Sequence, residues 1–160
     1  MDLTVPTNWQ DDLIPALAGL PVVELYGQLP RDFVGGGRAP SLIGGVSRRR
    51  MRRHIAQARA AGIRFNYLLN ATTMANREWS IRGQAALERL LDFLLDCGVD
   101  TVTVGIPYLL EFIKQRAPDL EVSVSTQALV ASPERAQRWK DLGADSLTLS
   151  VLDVNRDFDR

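Results

Sequence analysis

The residues best suited to chemistry in this sequence are amides and hydroxyls. Asn8, Tyr26, Asn70, Thr72, Tyr108, Thr126, Gln127, Asp153 and Asn155 each follow a segment that reads as a β-strand, so each falls at or just beyond a strand end. Groups of this kind donate and accept hydrogen bonds. They suit the binding of a polar substrate better than proton transfer, which calls for a histidine or a tuned carboxylate near the operating pH. Helix capping and loop ties are the competing use of the same groups. Asn8, Tyr26, Asn70, Tyr108, Thr126, Gln127 and Asn155 are the candidate substrate-binding residues, and no residue is assigned a catalytic role.

Stronger reagents are few. His54 is the only histidine and Cys97 the only cysteine. A lone His with no second ligand at metal spacing argues against a metal site, and a lone Cys excludes an internal disulfide framework. Cys97 follows a leucine stripe with no basic neighbour apparent in the sequence, so it reads as a packing residue rather than a reactive thiol. The glycines of Gly35-Gly36-Gly37 and Gly44-Gly45 flank Arg38-Ala39-Pro40-Ser41 but lack the Lys-Ser/Thr ending of a phosphate-binding P-loop. They read as a flexible loop over the mouth of a site. Arg48, Arg49, Arg50, Arg52, Arg53 and His54 form the one charge run. At helical spacing Arg48, Arg52 and Arg59 share a face opposite Met51 and Ile55, which reads as a solvated outer face. An RNA or subunit contact is the other use of such a cluster.

The elements that must position these groups follow from periodicity. Gly98-Val99-Asp100-Thr101-Val102-Thr103-Val104 matches Gly143-Ala144-Asp145-Ser146-Leu147-Thr148-Leu149 position by position. Each copy starts with a glycine suited to close a helix in the left-handed conformation and continues in strand alternation. Leu120 to Ser125 alternates in the same way. Upstream, Leu3 to Pro6, Val22 to Tyr26 and Ile63 to Leu69 read as strands. Asp11 to Leu20 and Val46 to Ala61 read as helices. Ser80 caps a helix whose buried stripe is Leu87, Leu90, Leu91, Leu94 and Leu95. Pro107 to Arg116 and Pro133 to Leu142, the latter capped by Ser132, complete the set.

Six strands alternating with helices predict an α/β fold with a parallel sheet. The first strand runs into Thr7-Asn8-Trp9 rather than the glycine-rich turn of a dinucleotide-binding sheet. The strands carry Thr or Ser on one face and Val or Leu on the other. Both features favour a (β/α)8 barrel over an open sheet. A full barrel needs about 250 residues, so 160 residues make an incomplete one of about six βα units. The chain reads as a single domain, residues 1–160, forming the N-terminal part of a longer protein.

Nineteen Lys and Arg against nineteen Asp and Glu give zero formal charge, which disfavours a strongly basic nucleic-acid binder or an acidic tail. The start lacks the basic and apolar regions of a signal peptide, and no apolar run reaches the roughly 20 residues of a membrane span. A cytoplasmic protein without a membrane span is expected.

Tyr26-Gly27, Leu68-Leu69-Asn70 and Ser125-Thr126-Gln127, each closing a consecutive strand, resemble the N-terminal barrel of the U32 peptidase (collagenase-like protease) family. Asn155-Arg156-Asp157-Phe158 resembles the branch that holds the proteins of oxygen-independent ubiquinone hydroxylation. The resemblance covers roughly residues 3 to 158. It implies a (β/α)8 barrel, an activity of proteolysis or of hydroxylation of quinone precursors or RNA bases, and often a four-cysteine [4Fe–4S] cluster. The family's cluster cysteines follow the sixth strand, so the expectation is no cofactor in this chain and a cluster in a full-length protein. Many members carry an Asp after strand four and an Arg-Glu pair after strand six, where this chain has Gly105-Ile106-Pro107 and Val151-Leu152. The leading reading is therefore an enzyme fragment whose catalytic groups lie downstream. The alternative is a non-catalytic subunit that binds a protein partner or a second copy. Peptide, small molecule and RNA stay open as substrates.

Overall fold

The computed structural model describes residues 2–37 and 44–154. Asn155 and the Asn155–Phe158 motif fall outside the described residues, as does the centre of the glycine-flanked loop. The strands are β1 (Leu3–Pro6), β2 (Val22–Gly27), β3 (Arg64–Leu69), β4 (Thr101–Val104), β5 (Glu121–Val124) and β6 (Ser146–Leu147). The helices are α1 (Leu13–Ala16), α2 (Arg48–Ala60), α3 (Ile81–Cys97), α4 (Pro107–Arg116) and α5 (Pro133–Asp141). All strand pairs are parallel, in the order β1-β2-β3-β4-β5-β6. The sheet is a curled half-barrel, as the alternating pattern predicts.

Two expected elements are shorter than the sequence suggests. The first helix is a single turn, since the chain turns left-handed at Gly19 and re-enters the sheet at Val22. The sixth strand pairs over two residues only, with a further isolated bridge between Val130 and Leu149. Along α3 the buried stripe is Leu87, Leu90, Leu91, Leu94 and Cys97, whereas Leu95 is 42% exposed. Leu95 sits one position beyond the stripe, at the edge of the packed face.

Sequence repetition has a structural cause here. Helices α2, α3 and α5 each end on a glycine with positive φ, at Gly62, Gly98 and Gly143. The next residue's N–H reaches back five positions, from Ile63 to Ala58, Val99 to Leu94 and Ala144 to Trp139. That bond closes the last turn and aims the chain at the sheet. After Gly98 and Gly143, though not after Gly62, the Asp two positions on ties two strands. Asp100 Oδ2 accepts the Phe65 N–H at 2.8 Å, and Asp145 Oδ2 accepts the Val122 N–H at 2.7 Å. Each carboxylate thus satisfies a strand-opening donor on the neighbouring strand.

The strands divide their faces by type. Leu25, Phe65, Tyr67, Leu69, Val102, Val104, Val122 and Val124 pack with the helix stripes into the core. The opposite face carries Glu24, Tyr26, Arg64, Asn66, Thr101, Thr103, Glu121 and Ser123. It is laced by hydrogen bonds, from Asn66 to Glu24 (3.3 Å), Thr103 to Asn66 (2.8 Å) and Arg64 to Thr101 (3.0 Å), with Arg64 also paired to Glu121. A barrel interior is ordinarily filled by branched apolar side chains. Here the corresponding face is polar and internally bonded.

Candidate functional site: the C-terminal rim of the sheet

In a parallel sheet every strand ends on the same side, so the loops after β1 to β5 share one rim. The loop after β2 is the most tightly built. Asp32 opens it as an Asx turn, its Oδ1 accepting from the N–H groups of Val34 and Gly35. Its Oδ2 accepts the Tyr67 hydroxyl proton at 2.6 Å, and the same hydroxyl oxygen accepts the Leu29 N–H at 3.0 Å. Burial, then the Asp32 charge and hydrogen bond, push the Tyr67 phenol far above its ordinary range. Tyr67 therefore stays a neutral donor. Farther along, Ala71 N–H donates to Gly35 O at 3.3 Å and Gly37 N–H to Asn70 Oδ1 at 2.9 Å. The expected flexible flap is, over residues 35–37, a braced strap. Three hydrogen bonds hold it: Gly35 N–H to Asp32, Ala71 N–H to Gly35 O, and Gly37 N–H to Asn70.

Asn70 is the joint. While its Oδ1 holds Gly37, its Nδ2 donates to Ser125 Oγ at 3.3 Å, and Ser125 Oγ also accepts the Gln127 N–H at 3.1 Å. Ser125 is buried, with Thr126 and Gln127 on a single 3-10 turn above it. The Gln127 side chain is exposed. A methyl placed on Gly37 would lie 3.4 Å from Gln127 Nε2 and 3.7 Å from Asn70 Nδ2, so three loops meet at one point. Asn70 and Gln127 thus converge, Asn70 as a tie with both amide ends engaged and Gln127 as an open carboxamide.

Other candidates stand elsewhere on the rim. Tyr26 is half-buried on the polar face, in register with Pro6 and Asn66. Asn8 is exposed, and its Oδ1 accepts the Gln10 N–H at 2.9 Å, a local turn. Tyr108 accepts from Gln84 and tilts against Trp79 at 5.0 Å, forming a second cluster over α3 and α4. Thr126 is half-buried on the same turn as Gln127; Thr72 is exposed on the β3 loop. Asp153, also exposed, accepts from the buried Ser150 at 2.6 Å.

Rim carboxylates are more numerous than the strand ends suggest. Asp32 is one. Glu78 is another, 8% exposed on a 3-10 turn after the left-handed residues Ala75 and Asn76, with Oε2 buried and unpartnered. Both lie in loops, where periodicity is silent. The Asp-x-x-Gly pattern of Asp32 to Gly35 was the one legible signal.

Arg48 and Arg52 are not simply solvated. They lie over the Phe93 ring of α3 at 4.7 and 5.7 Å, so this face of α2 is a seam between helices. Arg52 lies beside Cys97, the basic neighbour that sequence spacing concealed. Burial nonetheless pushes the thiol up, against the opposing pull of Arg52. Among the described residues no cluster of His, Cys, Asp and Glu could hold a metal ion, and no helix is long and apolar enough to cross a membrane.

The family model described as Peptidase family U32 matches residues 38–151. This chain belongs to peptidase family U32. It is 30% identical over 136 residues to the uncharacterized protease MJ1657 of Methanocaldococcus jannaschii, covering 85% of this chain and 39% of that protein. The solved structure of the U32 peptidase Mk0906 superposes with a TM-score of 0.71 at 25% identity, over 93% of this chain and 58% of that one. The chain therefore spans less than two thirds of either relative. Its half-barrel is part of the U32 fold.

Proposed function

We propose that this chain forms the ligand-holding part of a U32 peptidase-like enzyme and binds an extended polypeptide along the rim. The observation that carries this reading is the Gly37–Asn70–Ser125 joint beneath the open Gln127 carboxamide. Glycine lets a ligand main chain approach the strap closely. A carboxamide can both donate to and accept from a peptide unit, which is the pairing an extended substrate offers. Both named relatives are proteases or peptidases, which favours a peptide over the RNA and quinone-precursor readings. Asp32 is spent on bracing the strap. We assign the hydrolytic groups to the remainder of the intact protein.

Placement in the ubiquinone-hydroxylation branch, with a [4Fe–4S] cluster in the full-length protein, is the second enzymatic reading. It rests on Asn155-Arg156-Asp157-Phe158. A partner-binding subunit is supported instead by the amide- and hydroxyl-rich rim.

Saturation-transfer NMR of the protein with a casein digest, and separately with a prenylated phenol, separates these readings. Peptide signals that appear with the wild type and weaken at least about fivefold in Gln127→Ala support the proposal, that factor corresponding to roughly one lost hydrogen bond. Transfer to the phenol alone, or to peptide equally in both proteins, overturns it.

A further inference from the structure

The exit of β1 is fastened to α2 by three side-chain contacts within about one helical turn. Thr7 Oγ1 lies 2.8 Å from His54 Nε2, Arg50 donates to Gln10 Oε1 at 3.2 Å, and Arg53 Nη2 lies 3.0 Å from both oxygens of Asp11. Positions 7, 10 and 11 of the loop thus meet positions 54, 50 and 53 of the helix, which lie within about one turn of one another. His54 is 1% exposed, its ring 5.5 Å from that of Trp9. Trp9 has φ of 61°, unusual for a bulky residue, and its N–H donates to Thr7 Oγ1 at 3.0 Å. A Cβ on Gly27 would collide with Thr7 and crowd the Trp9 ring, so the cluster also reaches β2.

The hydrogen bonding of this cluster suits a neutral ring better than a charged one. With its proton on Nε2, His54 donates to Thr7 and keeps just a lone pair on Nδ1. Nδ1 is buried without a partner, and so is Arg50 Nε one turn earlier. A second proton would create a buried N–H with no acceptor, a costly state. It would also place a cation beside Arg50 and Arg53 of the same helix. The opposing charge from the facing loop is Asp11, already held by Arg53. Phe65, the β3 side chain tilted against Trp9 at 5.7 Å, brings no charge.

We propose that the Thr7–His54–Trp9 contact is a proton-sensitive clamp, holding the β1 exit loop on the rim at neutral pH and releasing it in mild acid. Burial lowers the affinity of His54 for a proton, Asp11 raises it, and Arg50 and Arg53 lower it further, with a net downward shift from 6.5. A folded value below the unfolded one gives stability that is full above about 6.5 and drains as pH falls through the folded value. Release would carry Asn8 and Trp9 off the rim and free the edge strand.

His54 is the only histidine, so its ring resonances report the titration unambiguously. NMR of the chain from pH 8 to 4.5 follows those resonances together with amide-exchange protection of Trp9. The expected result is a midpoint below 6.5 and a fall in Trp9 protection of up to about tenfold per pH unit between 6.5 and that midpoint, levelling off beneath it, with Val122 in β5 unaffected. A midpoint at or above 6.5, or pH-independent Trp9 protection, overturns the clamp. His54→Gln retains a donor without the titration, and its Trp9 protection should not respond to pH. A pH response equal to that of the wild type would overturn the proposal. Should that variant not fold, the wild-type titration decides alone.

Discussion

Replacing Tyr67 by Phe removes one oxygen and leaves the ring packing in place. Tyr67 is fully buried, and its hydroxyl serves two partners at once. It donates to the Asp32 carboxylate at 2.6 Å and accepts from the Leu29 N–H at 3.0 Å. A hydrogen bond to a charged group contributes about 1.5–3 kcal/mol, and orphaning a buried N–H costs about 1–3 kcal/mol. Leu29 is 5% exposed, so water would not readily replace the lost acceptor. Asp32 keeps its bonds to Val34 and Gly35, which limits the damage to the hydroxyl itself. The expected loss is about 3–5 kcal/mol. Urea unfolding should show it as a midpoint lower by roughly 1.5–2.5 M at unchanged slope, for a slope near 2 kcal/mol/M. Amide exchange should place the change at Leu29 and along the Gly35–Gly37 strap. A loss under about 1 kcal/mol, or an unchanged Leu29 exchange rate, would refute the idea that this hydroxyl ties the strap to the sheet.

Asp100→Ala and Asp145→Ala should each destabilise by about 1–3 kcal/mol in chemical denaturation, because each orphans a strand-opening N–H. Burial raises the Asp145 pKa, but the Lys114 and Val122 hydrogen bonds outweigh it and the net shift is downward. Its contribution is therefore present above the unfolded carboxylate value and lost as pH falls through the folded one; a Lys114→Met variant should show a smaller acid-dependent loss between about pH 5 and 2. Cys97 should resist iodoacetamide at pH 7.5 in the folded protein and react fully in urea, since burial pushes its thiol up; rapid native labelling, read by mass spectrometry, would contradict this. The 160-residue chain should self-associate in light scattering, because β1 and β6 are open sheet edges and Leu149, Val151 and Leu152 are exposed beside β6; a clean monomer at high concentration would count against open edges.

Strand and helix identity, the parallel order and the half-barrel class were legible in the sequence because all three follow from local periodicity and from the Gly-x-Asp repeat. The glycine's left-handed turn and the alternation after it are properties of a few consecutive residues. The role of the Asp in that repeat was not legible, since Asp100 and Asp145 act on Phe65 and Val122, 35 and 23 positions away. At the rim, residue type alone nominated Asn70 and Gln127. Only the tertiary structure distinguished a tie with both amide ends engaged from an open carboxamide, because that depends on Gly37 and Ser125 arriving from other loops. The Arg run shows the same division. Helical spacing put Arg48 and Arg52 on one face, but whether water or Phe93 lies against that face is decided by how α3 packs on α2. Local sequence sets backbone preference and which side chains share a face; what meets that face depends on contacts between residues far apart in the chain, which spacing along one strand or helix does not encode.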